Sequence, residues 1–220
     1  MVSTDLSHLK LYYFKFNEEI TKVYIGRGEN VKLFLVDTGI PHEYHQYEWE
    51  EWSKHRDEWI KDRGYTAGAL PALETADGKL FGLTVPILRF LSRNLKKYYG
   101  ASFEDEHFVD MISDLANDWY ADFDPSVWPE DYLPREVYLK SKFPKHVSRL
   151  DRFYGIKEGP YALGSEISFA DFQVYHMIRE ENLVGKLPTN LDAFVKAFEA
   201  RPNIKEYLEG KDNAYARSGK

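Results

Sequence analysis

The chain has 220 residues, 43% hydrophobic and 16% aromatic, enough apolar surface for one large core or two small ones without covalent staples. It contains no cysteine, which excludes disulfides, zinc–thiolate centres and a protein thiol nucleophile, so any sulfur chemistry must be carried by a bound molecule. A formal net charge of −7 argues against a nucleic-acid groove. No window approaches the roughly 18 apolar residues of a membrane span, and Met1 to Ser7 lack the basic flank and apolar run of a signal peptide, so no membrane association is expected and the cytoplasm is the expected location.

In chain order, Leu9 to Phe14 is a short run of strand formers and predicts a half-buried first strand. Val31, Leu33, Phe34, Leu35 and Val36 crowd the segment from Glu29 to Thr38, a helix that Gly39 can end in a left-handed cap with Pro41 blocking continuation. His42 to Tyr47 reads as a second strand. From Glu48 to Arg63 dense charge is interspersed with Trp49, Trp52 and Trp59, which fits an amphipathic helix or two short turns. Leu70 to Thr75, Ala76 to Lys79 and Leu80-Phe81 read as strand, turn and strand, because Asp77-Gly78 supplies the positive φ angles of a tight hairpin. Thr84 is a suitable N-cap for the next helix, and Arg89, Arg93, Lys96 and Lys97 gather toward its C-terminal end, matching the helix dipole.

Tyr98 to Ser102 reads as a linker. Beyond it strand signals vanish, and helical patterns cover Glu104 to Asp124, Arg135 to Tyr154, Phe169 to Glu181 and Leu191 to Ala200. The break near residue 100 divides the chain into an α/β domain, 1–97, of thioredoxin-like element order and an all-α domain, 103–220. The third of these helices carries the strongest local signal. Ser168 stands at the N-cap with Asp171 three residues on, a short-armed capping box, and Ile167 and Phe172 bracket it as a hydrophobic staple.

The segment Gly164-Ser-Glu-Ile-Ser-Phe-Ala-Asp171 also closely resembles the Gly-x-x-x-Ser-x-Ala-Asp box in the C-terminal domain of cytosolic glutathione transferases, and the likeness extends over almost the whole chain. It implies the glutathione transferase fold and a homodimer of detoxifying enzymes with glutathione as co-substrate. Three N-terminal motifs carry it further. Gly68-Ala-Leu-Pro71 resembles the family's cis-proline turn, which implies that Leu70, preceding Pro71, offers backbone N–H and C=O to the cysteinyl part of glutathione. Leu11-Tyr-Tyr-Phe14 resembles the first strand of the tyrosine-type classes (alpha, mu, pi and sigma). Aligning Tyr13-Phe14 with their Tyr-Phe pair makes Tyr13 the catalytic hydroxyl, with Tyr12 pointing to the opposite sheet face. Arg27 to Lys32 is similar to the segment opening the family's first helix, so Arg27 is expected to orient Tyr13 or the thiolate.

By the same resemblance Thr84 stands where a serine binds the γ-glutamyl carboxylate, although its hydroxyl serves equally well as a cap alone. Lys61 is in range of the residue that binds the glycyl carboxylate, and Asp110 matches an aspartate that reaches the partner subunit's glutathione ammonium. Trp119, Tyr120 and Phe123 are either core or the lining of an apolar electrophile site. Leu83 and Ala69 depart from the family pattern by replacing polar residues that contact glutathione. Lys15 to Ile25 is an insertion longer than these classes place there, read as a loop over the thiol that sets co-substrate choice. His42, His45 and His55 lack metal-site spacing, so no metal is expected. The expected function is conjugation of glutathione to apolar electrophiles; the alternatives are a non-catalytic binding or structural protein on this fold and a glutathione-dependent isomerase or peroxidase.

Overall fold

The computed structural model describes residues 4–128 and 133–218, so the outermost residues of both expected domains lie outside the described chain. Two compact units result. One runs from the N-terminus to Lys96 and takes in the segment from Pro202; the other spans Lys97–Arg201.

The first unit is built on a four-stranded sheet of order β2-β1-β3-β4, with β1 Leu9–Phe14, β2 His42–Tyr47, β3 Ala72–Glu74 and β4 Leu80–Gly82. Strand β1 runs parallel to β2 and antiparallel to β3, and β3 is antiparallel to β4. A parallel pair needs a crossover, supplied by helix α2, Gly28–Thr38, which Gly39 ends at φ 68°. Helix α3, Trp49–Asp62, is continuous; it presents Trp52 and Trp59, seven residues apart and each 4% exposed, while Trp49 at its first position is 66% exposed. The edge of Trp59 meets the ring of Tyr12 at 4.9 Å and that of Trp52 at 5.4 Å, so α3 is held by aromatic edge-to-face contacts. Helix α4, Thr84–Leu95, follows the hairpin directly.

The insertion is not a structureless loop. It folds into α1, Glu18–Val23, whose N-cap Asn17 accepts a hydrogen bond from the Ile20 amide at 2.9 Å. The signals are those of any short helix: an Asn cap, Glu18 and Glu19 in the first turn, Lys22 in the last.

The second unit contains α5 Phe103–Phe123, α6 Arg135–Ser141, α7 Phe143–Tyr154, α8 Phe169–Glu180 and α9 Thr189–Glu199. The single helix expected from Arg135 to Tyr154 breaks at Lys142, because Pro144 lacks an amide donor and its ring excludes the preceding turn; it is accommodated only in the first turn of a new helix. Helix α8 is the centre of this unit, with every residue buried except the half-buried Arg179. At its start Asp171, 0% exposed, accepts from the Ser168 amide (2.6 Å), the Ser168 hydroxyl (2.7 Å), the Ala162 amide (3.0 Å) and the Tyr154 hydroxyl (2.7 Å).

The C-terminal segment, assigned to the helical domain on sequence, clusters instead with the first unit. Its helices α10, Pro202–Glu209, and α11, Ala214–Ser218, pack on α2 and α1 respectively. The attachment is polar and specific: the Asn203 amide donates to the Asp37 carbonyl (3.0 Å), the Tyr207 hydroxyl to Glu29 (2.6 Å) and the Lys32 ammonium to the Asp212 carbonyl (3.1 Å). Polar contacts of this kind have no amphipathic period, which is why hydrophobic patterning overlooks them.

Candidate active site

Strand register brings three of the expected residues to one end of the sheet. Tyr12 pairs with Ala72 across the antiparallel β1–β3 ladder, and Ala72 with Gly82 across β3–β4. Continuing one or two residues along each strand, Tyr13 stands next to the last residue of β1, the Leu70-Pro71 bond enters β3, and Thr84 follows β4, all at the same end of the sheet. The Leu70-Pro71 bond is cis.

Alternation along β1 separates the two neighbouring tyrosines. Tyr12 donates to Glu74 at 2.7 Å, and the other oxygen of that carboxylate accepts from Arg63 at 2.8 Å. Burial and the adjacent Glu74 charge push the Tyr12 phenol well above its ordinary range, so its proton is committed to the carboxylate. Tyr13, 4% exposed, lies on the α2 side, where its hydroxyl accepts the Arg27 backbone N–H at 2.7 Å. In that bond the phenol is acceptor, and its own proton is not spent on Arg27. Arg27 thus contacts Tyr13 through its backbone amide.

Two glycines flanking Arg27 make this placement possible. A Cβ at Gly26 would stand 2.6 Å from the Tyr13 hydroxyl, and one at Gly28 would stand 2.4 Å from the ring. The signal in the sequence for this close approach is the Gly26-Arg-Gly28 pattern. Tyr65 left no signal at all: its hydroxyl donates to the Ala69 carbonyl at 2.6 Å, bracing the turn before Leu70, and burial pushes its phenol up to about 12.

Thr84 is not the N-cap of α4 but its first residue; the cap position is held by Leu83, at φ 69° and 49% exposed. Leucine has no side-chain acceptor for the helix's orphan amides, and a bulky residue at positive φ is a strained one. Thr84 itself is 5% exposed with its hydroxyl oxygen buried and without a hydrogen-bond partner. The result is an uncapped helix N-terminus with an unspent hydroxyl beside it, the local chemistry of an anion site.

The remaining expected residues are placed otherwise. Lys61 is exposed on the last turn of α3. Asp110 is on α5 in the second unit, half-buried and accepting from the Tyr99 hydroxyl at 2.9 Å. Trp119, Tyr120 and Phe123, at 0%, 3% and 1% exposure, are core side chains of the second unit, and the Trp119 indole donates to the Tyr138 hydroxyl at 2.9 Å. Their rings pack on one another and on neighbouring side chains, Tyr120 on Phe123 and Trp119 on His146.

A family described as the glutathione S-transferase C-terminal domain matches residues 117–211. Glutathione S-transferase P 10 of Caenorhabditis elegans is 27% identical over 208 residues, covering 91% of this chain and 90% of that protein. The chain is thus similar to glutathione S-transferases over about nine-tenths of its length. Among solved structures, the Pi-class glutathione S-transferase of Onchocerca volvulus superposes with a TM-score of 0.78 at 23% identity, covering 94% of both chains. The Nu-class enzyme of Haemonchus contortus gives 0.72 at 25% identity, covering 93% of this chain and 97% of that one. The family fold, a mixed α/β unit and an all-helical unit, is the one described above.

Proposed function

We propose that this chain conjugates glutathione to apolar electrophiles, with Tyr13 as the catalytic hydroxyl. The single observation that carries the reading is the convergence of Tyr13, the Leu70-Pro71 turn and the uncapped N-terminus at Thr84 at one end of the sheet. An extended tripeptide fits that end in three parts. The Leu70 backbone pairs with the cysteinyl residue, the α4 N-terminus and the Thr84 hydroxyl receive the γ-glutamyl carboxylate, and Lys61 reaches the glycyl carboxylate. Relatives matching about nine-tenths of the chain are named transferases, which weighs against a binding protein without activity.

The chemistry follows from an acid that is too weak on its own. A thiol with a pKa of about 8.5 is only a few per cent ionised at neutral pH. A phenol proton donated to the sulfur favours the thiolate, and lowering its pKa by two units takes about 2.7 kcal/mol, the scale of a charge-assisted hydrogen bond in a water-poor site. The Arg27 amide holds the Tyr13 oxygen and strengthens the phenol as a donor by drawing charge from it. Gly26 and Gly28 are positioning residues: they act through Tyr13. Further parts of the reading are a tyrosine-type class, a cytoplasmic homodimer, and Asp110 contributed to the partner's glutathione ammonium.

Tyr13→Phe tests it. The variant should still be retained on a glutathione-affinity matrix, while conjugation near pH 6.5 falls by one to two orders of magnitude, about 1.4 to 2.7 kcal/mol. The deficit should shrink above about pH 9, where the thiol ionises unaided. Full activity of Tyr13→Phe at pH 6.5 would overturn the assignment, and a selective loss in Tyr12→Phe would move it one residue back along the strand.

A further inference from the structure

Helix α1 of the insertion is too short to hold itself in place. It has six residues, far below the roughly 12 to 15 under which an isolated helix is marginal, and none of them is fully buried. Its position therefore comes from its neighbours. Helix α11 packs on it and is itself tied down: the Asn213 side-chain amide donates to the Leu208 carbonyl at 2.7 Å, its oxygen accepts the Tyr215 amide at 2.9 Å, and Tyr215 is 0% exposed. The Ala214 amide adds a bond to the Tyr207 hydroxyl at 3.1 Å, and that hydroxyl donates to Glu29 on α2.

The deeply buried residues of the insertion follow α1 directly. Tyr24, 7% exposed, is its C-cap: the Tyr24 amide donates to the Ile20 carbonyl at 2.9 Å, and an extended backbone (φ −148°, ψ 125°) turns the chain off the helix. Its ring reaches Tyr13 by two routes. Phe16 stands edge to face against Tyr24 at 5.3 Å and in the same manner against Tyr13 at 6.0 Å. At Gly26, the place a Cβ would take is approached to 3.0 Å by a Tyr24 ring carbon and to 2.6 Å by the Tyr13 hydroxyl. Both routes end beside the phenol oxygen that the Arg27 amide holds.

We propose that Tyr24 is a positioning residue for Tyr13: its ring, held by α11 through α1, keeps the phenol on the Arg27 amide and so sets how far the thiol ionises at neutral pH. The inference rests on the reading of Tyr13 as the catalytic hydroxyl and adds the insertion and α11 to its support. A phenol free to visit other rotamers donates to the sulfur for only part of the time, and the gain in thiolate falls with that fraction. Tyr24 acts through Tyr13 and not on the thiol.

The experiment is a double-mutant cycle on kcat/KM for conjugation of 1-chloro-2,4-dinitrobenzene, followed across pH. Tyr24→Ala should lower kcat/KM near pH 6.5 at least about fivefold, within the range of coupling between residues in contact, with retention on a glutathione-affinity matrix unchanged. The deficit should shrink above about pH 9, where the thiol ionises unaided. In the Tyr13→Phe background the same change should cost less than about twofold. Tyr24→Phe keeps the ring carbons that meet Phe16 and Gly26 and should follow the wild-type profile, while Asn213→Ala, which loosens α11, should give a smaller loss of the same pH shape. A folded Tyr24→Ala with the wild-type profile, or an equal fold-loss in both backgrounds, overturns the assignment. A loss in Tyr24→Phe as large as in Tyr24→Ala overturns the role of the ring, and full activity of Asn213→Ala overturns that of α11. Full activity of Tyr13→Phe alone is a different failure: it refutes the reading of Tyr13 itself, and that one variant tells the two apart.

Discussion

Two helix N-termini in this molecule meet the same physical demand in opposite ways. At the start of α8, Ser168 and Asp171 are both 0% exposed, and the Asp171 carboxylate collects four donors from the cap, the preceding turn and Tyr154. At the start of α4 the cap residue is a leucine at positive φ, and the first helical residue keeps a buried hydroxyl without a partner. The first end is complete as it stands; the second is chemically unfinished. An unsatisfied buried polar group costs about 1–3 kcal/mol, so its persistence is informative where its neighbour in the same fold is saturated. The saturated end reads as structure and the unsaturated one as a place for a ligand.

The largest effect expected from this contrast is in Asp171→Ala. Several buried donors lose their acceptor at once, which should cost at least about 3 kcal/mol and lower Tm by on the order of 10 °C, while activity per folded molecule is unchanged. Calorimetry that found the wild-type Tm would break the comparison at its stable end. Thr84→Val is the mirror experiment. The methyl replaces a hydroxyl that has no partner, so Tm should hold or rise slightly, whereas glutathione affinity should drop about tenfold, or about 1.4 kcal/mol. A loss of Tm with unaltered affinity would make Thr84 a structural residue after all.

The smallest effect is in alkali. Burial and the Asp171 charge hold the Tyr154 phenol well above its ordinary value, so the folded chain keeps a proton that the unfolded chain releases near pH 10. Stability therefore falls as pH rises beyond about 10. Tyr154→Phe should flatten part of that fall while lowering stability at neutral pH, and denaturant titrations at pH 7 and about pH 10.5 measure both. An unchanged slope would show that Tyr154 does not feel Asp171 as the geometry requires.

What the sequence made legible was whatever is encoded within a few residues. The Ser168–Asp171 box, the Asp77-Gly78 hairpin and the Gly39 stop each depend on short-range chemistry and appear where the residues indicate. Errors arose where a long-range demand outweighed the local one. Thr84 is a better cap than Leu83, yet the β3–β4 register and the burial of Thr84 place it one residue inside the helix. Three aromatic residues at the end of α5 are buried, but a pocket lining and a core share one composition, so their pattern in the sequence does not separate the two. In the candidate site, the placement of Tyr13 on the α2 side of β1 follows from strand alternation, but its contact with the Arg27 amide depends on two glycines whose importance lies in what they leave empty.

The return of the C-terminal segment to the first unit has a consequence for biosynthesis. The residues that lock α2, among them Tyr207 and Asp212, are separated from it by a whole helical unit, so they leave the ribosome only after that unit has been made. The N-terminal half, made first, cannot reach its final contacts on the nascent chain, and closing a loop of well over a hundred residues is an entropically costly, slow step relative to local helix formation. The first unit is thus begun before the helical unit and completed after it, and truncation before Pro202 is expected to act on the first unit before it acts on the second.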